Sequence, residues 1–175
     1  GCVFCGSRSN FLYKEILGGN GTYRKKKAGG EVNSFYNLNI RCSMIGRELY
    51  NFTELFEWLV KNKNKNIDGY SKVFYSGITT VRMGKIISKI IKEDINLTGI
   101  YNISSIPISK FDLLHKLSNA FGLNVDITEN KNIKSNKVLN SKKFAEITGI
   151  KTPDWDDLIS ELVEDCGKKR SLYKK

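Results

Sequence analysis

The chain has 175 residues, 40% of them apolar, and a formal net charge of +11. That is enough apolar material for one domain with a real core. No run approaches the roughly 18 uninterrupted apolar residues of a membrane span, so a soluble protein is expected, placed in the cytoplasm, with no membrane partner. The charge raises nucleic acid as a partner. However, five basic and no acidic side chains fall in Gly167–Lys175, and Lys61-Asn62-Lys63-Asn64-Lys65-Asn66 reads as a solvated helix end and loop. Aromatic residues are not interleaved with these runs as base stacking requires, so nucleic acid is not the expected main partner.

The N-terminus, Gly1-Cys2-Val3-Phe4-Cys5-Gly6, has no basic region and no long apolar run, so no signal peptide is read there. It begins without Met, inside what reads as a strand, and the chain is expected to be an incomplete portion of a longer protein. Cys2-x-x-Cys5 lacks the second close pair of a zinc ribbon and the helix N-terminus of a redox site; ordinary thiols and no metal are expected. A polar loop runs to Gly21, and residues 22 to 36 are helix-compatible. Leu38 to Ile45 is strand-like and ends at Gly46. Phe52, Leu55, Phe56 and Leu59 then mark an amphipathic helix that dissolves into the Lys/Asn run.

Val73-Phe74-Tyr75 is a short strand before Ser76-Gly77, and Thr79 and Thr80 can cap the next helix. That helix has an apolar face of Met83, Ile86, Ile87, Ile90 and Ile91. Gly99 to Ile103 is another strand. Ser109 starts a helix with Phe111, Leu114, Leu117 and Phe121 on its apolar side, stopped by Gly122. Val125-Asp126-Ile127 alternates like an exposed strand. A short helix spans Ser141 to Thr148, and a last one Pro153 to Cys166, with Leu158, Ile159, Leu162 and Val163 inward. Alternating strands and helices of this length define an α/β fold.

Two residues carry candidate chemistry. Tyr23 and Lys27 stand four apart, on one face of a helix. There an ammonium can bring a phenol of pKa ~10 nearer to neutrality, giving a proton donor suited to carbonyl reduction. On spacing alone the pair reads equally as a solvated, lysine-rich helix face. His115, inside an amphipathic helix, reads as a partly buried surface residue. Asp154, Asp156 and Asp157 read as capping and dipole compensation for the final helix. Gly18-Gly19-Asn20-Gly21 lacks the Gly-Lys-Ser/Thr ending of a P-loop and reads as a turn.

The context of Tyr23 and Lys27 shifts that balance towards the proton donor. Ala28-Gly29-Gly30-Glu31-Val32 and Asn37 to Gly46 are followed in order by Phe74 to Thr80, Gly99 to Ser105, Pro107 to Leu114 and Trp155-Asp156-Asp157-Leu158. Together they resemble the extended short-chain dehydrogenases/reductases, and more narrowly the sugar-nucleotide reductases of the dTDP-4-dehydrorhamnose reductase type. The resemblance implies the C-terminal part of a Rossmann-like parallel sheet with a small α/β substrate-binding region, without the N-terminal cofactor-binding half. It divides the chain into residues 1–105 (the remainder of the NAD(P)-binding domain), 106–166 (the substrate region) and a basic tail, 167–175. Tyr23 would protonate the sugar carbonyl. Lys27 would lower its pKa and hold the nicotinamide ribose, and Ser43 and Met44 would lie near the nicotinamide of NADP or NAD.

The implied function is NAD(P)-dependent reduction of a nucleotide-activated 4-keto-6-deoxysugar for surface polysaccharide, with a possible homodimer. The alternatives are a non-catalytic binding or regulatory member, or a sugar-nucleotide epimerase or dehydratase. Departures bear on these. Arg24, Lys25 and Lys26 occupy places where the family has a small residue and a serine, and Arg41-Cys42-Ser43 replaces Arg-Thr-Ser. Those cations read either as drawing in a diphosphate or as the mark of a lost active site. The glycine-rich dinucleotide fingerprint is absent, and the family's carbonyl-polarising Ser/Thr would precede Val3. The chain alone is therefore expected neither to bind NAD(P)H tightly nor to turn over.

Overall fold

The computed structural model describes residues 4–5, 37–49 and 51–168. The expected helix over 22–36, with Tyr23 and Lys27, lies outside the described residues, as do Cys2, the Gly18–Gly21 cluster and most of the basic tail. The fold is α/β. In chain order the strands are β1 (Phe4–Cys5), β2 (Leu38–Arg41), β3 (Met44–Ile45), β4 (Asn66–Tyr70), β5 (Val73–Tyr75), β6 (Ile78–Thr79), β7 (Gly99–Asn102), β8 (Ile108–Ser109), β9 (Asp126–Asn130) and β10 (Ser135–Lys137). The helices are α1 (Leu55–Lys61), α2 (Thr80–Lys92), α3 (Lys110–Ala120), α4 (Lys142–Thr148) and α5 (Trp155–Lys168).

Pairing is dominated by parallel ladders. β1, β2 and β7 form one parallel sheet, with Ile40 opposite Tyr101. β3 pairs with β6, and β4 with β9, both parallel. The remaining sheet is mixed, in the order β10-β5-β8: β5 runs parallel to β10 and antiparallel to β8. Parallel strands covered by helices are buried on both faces. Accordingly Asn39, Ile40 and Cys42 on and after β2 are all buried, as is Tyr101 on β7.

The helices follow their sequence signals with local differences. α1 begins at Leu55, after the expected Phe52, because Phe52 has φ 54, a left-handed conformation that ends helical geometry. α2 buries Met83, Ile86 and Ile90, but Ile91 is 71% exposed. In α5 Leu158, Ile159 and Leu162 point inward, whereas Val163 does not. Ile91 follows Ile90, and Val163 follows Leu162, by about 100° around the helix, which carries each past the edge of its buried stripe. α3 buries Leu113, Leu114 and Leu117, and the chain turns at Gly122 with φ 58.

Four strands were not expected: the two-residue β6 and β8, where the sequence shows only the helix caps Thr79 and Ser109, and β4 and β10. β4 grows out of the Lys/Asn run at Asn66 and buries only Ile67 and Gly69. β10 is Ser-Asn-Lys, without an apolar side chain, and is placed by its pairing to β5. Val125 and Ile127, read as exposed alternation, are buried beneath the β4–β9 ladder.

Candidate functional site

The described residues form a cleft of about 400 Å³ where the chain leaves β2. Its floor and walls come from Ser43, Met44 and Ile45, from Phe74 and Tyr75 on β5, and from Thr80, Lys110 and Lys137. Open α/β sheets place ligands outside the carboxyl ends of their strands, and Ser43 and Met44 occupy that position after β2. The Ser43 carbonyl accepts from Ile78 N–H at 2.8 Å, fixing β3 against β6. Met44 is 46% exposed and faces the opening.

The Ser43 hydroxyl also lies close enough to the Tyr75 phenol to act on its acidity. Burial pushes the Tyr75 pKa far up, and the Ser43 hydroxyl offsets this only in part. Tyr75 is therefore a neutral hydrogen-bonding group at physiological pH. Its ring packs against Trp155 at 5.8 Å between centroids. Two glycines leave room for this arrangement. A Cβ on Gly77 would sit 1.9 Å from the Tyr75 hydroxyl oxygen, and one on Gly46 would sit 2.3 Å from Thr80 Oγ1.

Behind the cleft a set of buried hydroxyls ties together loops distant in sequence. Ser76 Oγ accepts from Leu139 N–H at 2.8 Å, and the Ser76 carbonyl accepts from Ser105 N–H at 3.0 Å. Ser104 donates to the Leu139 carbonyl at 3.1 Å and lies 3.0 Å from the Ser141 hydroxyl. The motif residues Ser76, Ser104 and Ser105 thus hold the β5–β6, β7–β8 and β10–α4 connections in place.

Of the residues singled out from sequence, Ser43 and Met44 come together in the cleft, while Tyr23 and Lys27 lie outside the described residues. His115 packs edge-on against Phe111, with centroids 4.5 Å apart. Asp154 Oδ1 accepts from Asp157 N–H at 2.9 Å, and Asp156 pairs with Lys116, so these acids serve the start of α5 and its contact with α3. Among the described residues no group of three His, Cys, Asp or Glu is placed to hold a metal ion, and no helix is long and apolar enough to cross a membrane.

Tyr75, Lys110 and Lys137 were not singled out. Tyr75 carried one signal, its place immediately before Ser76-Gly77. Lys110 carried only its place in the Pro107 to Leu114 segment, and Lys137 carried none.

No protein-family model matches the sequence, and no curated protein matches it significantly. Solved structures do share the fold. The chain superposes on the dTDP-4-dehydrorhamnose reductase of Clostridium acetobutylicum with TM-score 0.71 and 16% identity, covering 94% of this chain and 63% of that one. The UDP-N-acetylglucosamine 4-epimerase of Methanobrevibacter ruminantium gives 0.69 and 13%, covering 93% and 61%. The dTDP-4-dehydrorhamnose reductase of Bacillus anthracis, in complex with NADP, gives 0.63 and 15%, covering 82% and 52%. The shared feature is the α/β, Rossmann-like fold of sugar-nucleotide enzymes, and this chain spans between 52% and 63% of their length.

Proposed function

We propose that this chain forms part of an NAD(P)-dependent reductase of a nucleotide-activated 4-keto-6-deoxysugar, serving surface-polysaccharide synthesis. One observation supports the reading most. Ser43 and Met44, expected beside a nicotinamide, line a cleft at the carboxyl end of β2 in a fold that a reductase with bound NADP shares.

The cleft fits part of such a ligand set. Its volume suits one ring with substituents and falls at the small end of ligand pockets. Ser43 and Tyr75 offer uncharged hydrogen-bonding groups for a carboxamide or a sugar hydroxyl. The sequence has no glycine-rich loop for the cofactor's pyrophosphate, so that group is held outside this chain. When bound, the nicotinamide supplies the hydride.

In this reading Tyr23 gives the proton to the carbonyl oxygen, and Lys27 stabilises the phenolate left behind. Tyr75 does not compete for that role, because burial makes it a weaker acid than an ordinary phenol. Residues 1–105 carry the catalytic pair and the nicotinamide side, and 106–166 the substrate side. The epimerase likeness supports a second reading, in which the same site moves hydride out and back with no net consumption of cofactor.

The test uses the enzyme completed with its cofactor-binding half. Tyr23→Phe should lower kcat by about 10²–10⁴-fold, the range for a lost general acid. An unchanged rate would eliminate the Tyr23 mechanism and favour a non-catalytic role. Stoichiometric NADPH oxidation marks the reductase, and its absence during sugar interconversion marks the epimerase. Titrated with NADPH by cofactor fluorescence, the 175-residue chain alone should show no micromolar binding.

A further inference from the structure

Among the described residues Glu57 is the one charged side chain that is buried, at 4% exposed. Nothing in the proposed reaction uses it. Glu57 is the third residue of α1, where a carboxylate ordinarily turns back to the N–H of its own N-cap. Here it turns away from the helix. Its Oε1 accepts from Arg47 Nε at 2.6 Å and from Glu48 N–H at 3.1 Å, ten and nine residues upstream. Arg47 and Glu48 line the cleft, as do Glu54, Leu55 and Phe56, whereas Glu57 does not. Glu57 therefore stands behind the wall that its bonds hold.

The contacts pass on from there. The Phe56 ring fixes the Arg47 guanidinium on a second side, with Cζ 5.7 Å from its centroid, and Phe56 is itself packed edge-on against Phe121. Burial pushes the nearby Cys166 thiol of α5 up, so it brings no charge to compete for Arg47. Glu48, whose N–H Glu57 holds, spends its own carboxylate on the N–H groups of Thr53 and Glu54, at 3.0 and 2.5 Å. Between these points Asn51 and Phe52 have φ 64 and 54, a left-handed conformation that is costly for an L side chain. A buried ion pair is a poor source of stability, because apolar side chains of similar volume do as well or better. What apolar side chains lack is the directed bonding that holds a cleft wall in one place.

We propose that Glu57 is a positioning residue for the cleft: its carboxylate sets Arg47 and the Glu48 backbone, and through Glu48 the start of α1, so that this wall keeps one shape when a ligand enters. That the ligand is a sugar nucleotide rests on the function proposed above; the positioning role does not. Glu57 reaches the ligand only through Arg47 and Glu48, so its loss weakens binding rather than the chemical step.

The experiment compares the wild-type chain, Glu57→Gln and the double variant Arg47→Met/Glu57→Met by amide hydrogen exchange and thermal melts. Glu57→Gln should melt at a lower temperature, and the double variant, an apolar replacement of the pair, should recover the wild-type value. In both variants the amides of Glu48, Thr53 and Glu54 should exchange roughly tenfold faster relative to those of Leu59 and Val60 inside α1, the scale of one lost charged hydrogen bond. Exchange that quickens only in step with α1, or that returns to normal with the melting temperature in the double variant, would overturn the proposal and leave the pair a stabilising contact. In the enzyme completed with its cofactor-binding half, and well below its melting temperature, Glu57→Gln should raise KM for the sugar nucleotide roughly tenfold with kcat within about twofold. An unmoved KM there would also overturn it. Failure of the reductase reading shows separately, as an unchanged rate in Tyr23→Phe, and the exchange result then decides the positioning role by itself.

Discussion

The β6–α2 and β8–α3 junctions are built alike and deliver different chemistry to the same cleft. Each is a two-residue buried strand whose last residue caps the helix. Thr79 and Ser109 have nearly the same backbone angles, φ −73 with ψ 150 and φ −73 with ψ 153. Thr79 accepts from Arg82 N–H at 3.2 Å, and Ser109 from Asp112 N–H at 3.0 Å. The first helical residue lines the cleft in both cases, but it is Thr80 in one and Lys110 in the other. A repeated local device thus fixes where a side chain goes, and residue identity decides what it does there.

The junctions also differ in how α5 braces them. Trp155 supports the second, donating from Nε1 to the Ile106 carbonyl at 2.9 Å and packing on Tyr75. Glu161 supports the first, taking Arg82 Nε and Nη2 at 2.9 and 2.8 Å. The largest effect is expected at the aromatic brace. Trp155 is 2% exposed, and Trp155→Ala should cost about 3–5 kcal/mol in denaturant unfolding, from lost contacts and the cavity left behind. A loss under about 1 kcal/mol would show that the second junction stands without α5.

The caps come next. Thr79→Ala and Ser109→Ala should each cost about 1 kcal/mol, and Ser109→Ala should cost the more because Asp112 loses its hydroxyl partner as well. Equal losses would mean that the Ser109–Asp112 contact adds nothing. The smallest effect belongs to the ionic brace, where Glu161→Gln should cost below about 1 kcal/mol at neutral pH. Its signature is pH dependence. Burial opposes ionisation of Glu161, but hydrogen bonds from Arg82 and Lys85 outweigh it and hold the pKa below the ordinary 4.5. A carboxylate made more acidic by folding contributes stability that is complete above its unfolded pKa and is lost as pH falls through the folded value. Melting temperatures below about pH 4.5 should fall less steeply in Glu161→Gln than in the wild type. Parallel acid limbs would assign the acid sensitivity to other groups.

How much of this was legible in the sequence follows from what kind of signal each part carries. Helices α2, α3 and α5 announce themselves through 3.6-residue periodicity and through caps such as Thr79 and Ser109. The cleft residues Ser43 and Met44 were reachable because they end a strand whose surroundings carried a family resemblance. Strands β4 and β10 were not legible, because Asn66 and Ser135-Asn136-Lys137 have no apolar alternation and become strands only through their partners. The joint placement of Lys110 and Lys137 in the cleft wall was hidden for the same reason: it follows from the register of β10, β5 and β8, which no local pattern encodes.

That register has a kinetic side. Leu38 pairs with Gly99, Asn66 with Asp126 and Val73 with Ser135, so each of these parallel ladders closes a segment of about sixty residues, and the segments interleave along the chain. Closing loops of that length is entropically costly before any contact compensates it, and chains dominated by such distant pairings fold slowly. Interleaving adds that no ladder can be completed while the neighbouring one is threaded wrongly. The cleft is therefore expected to assemble late in folding, when the chain around β5 is joined from both sides.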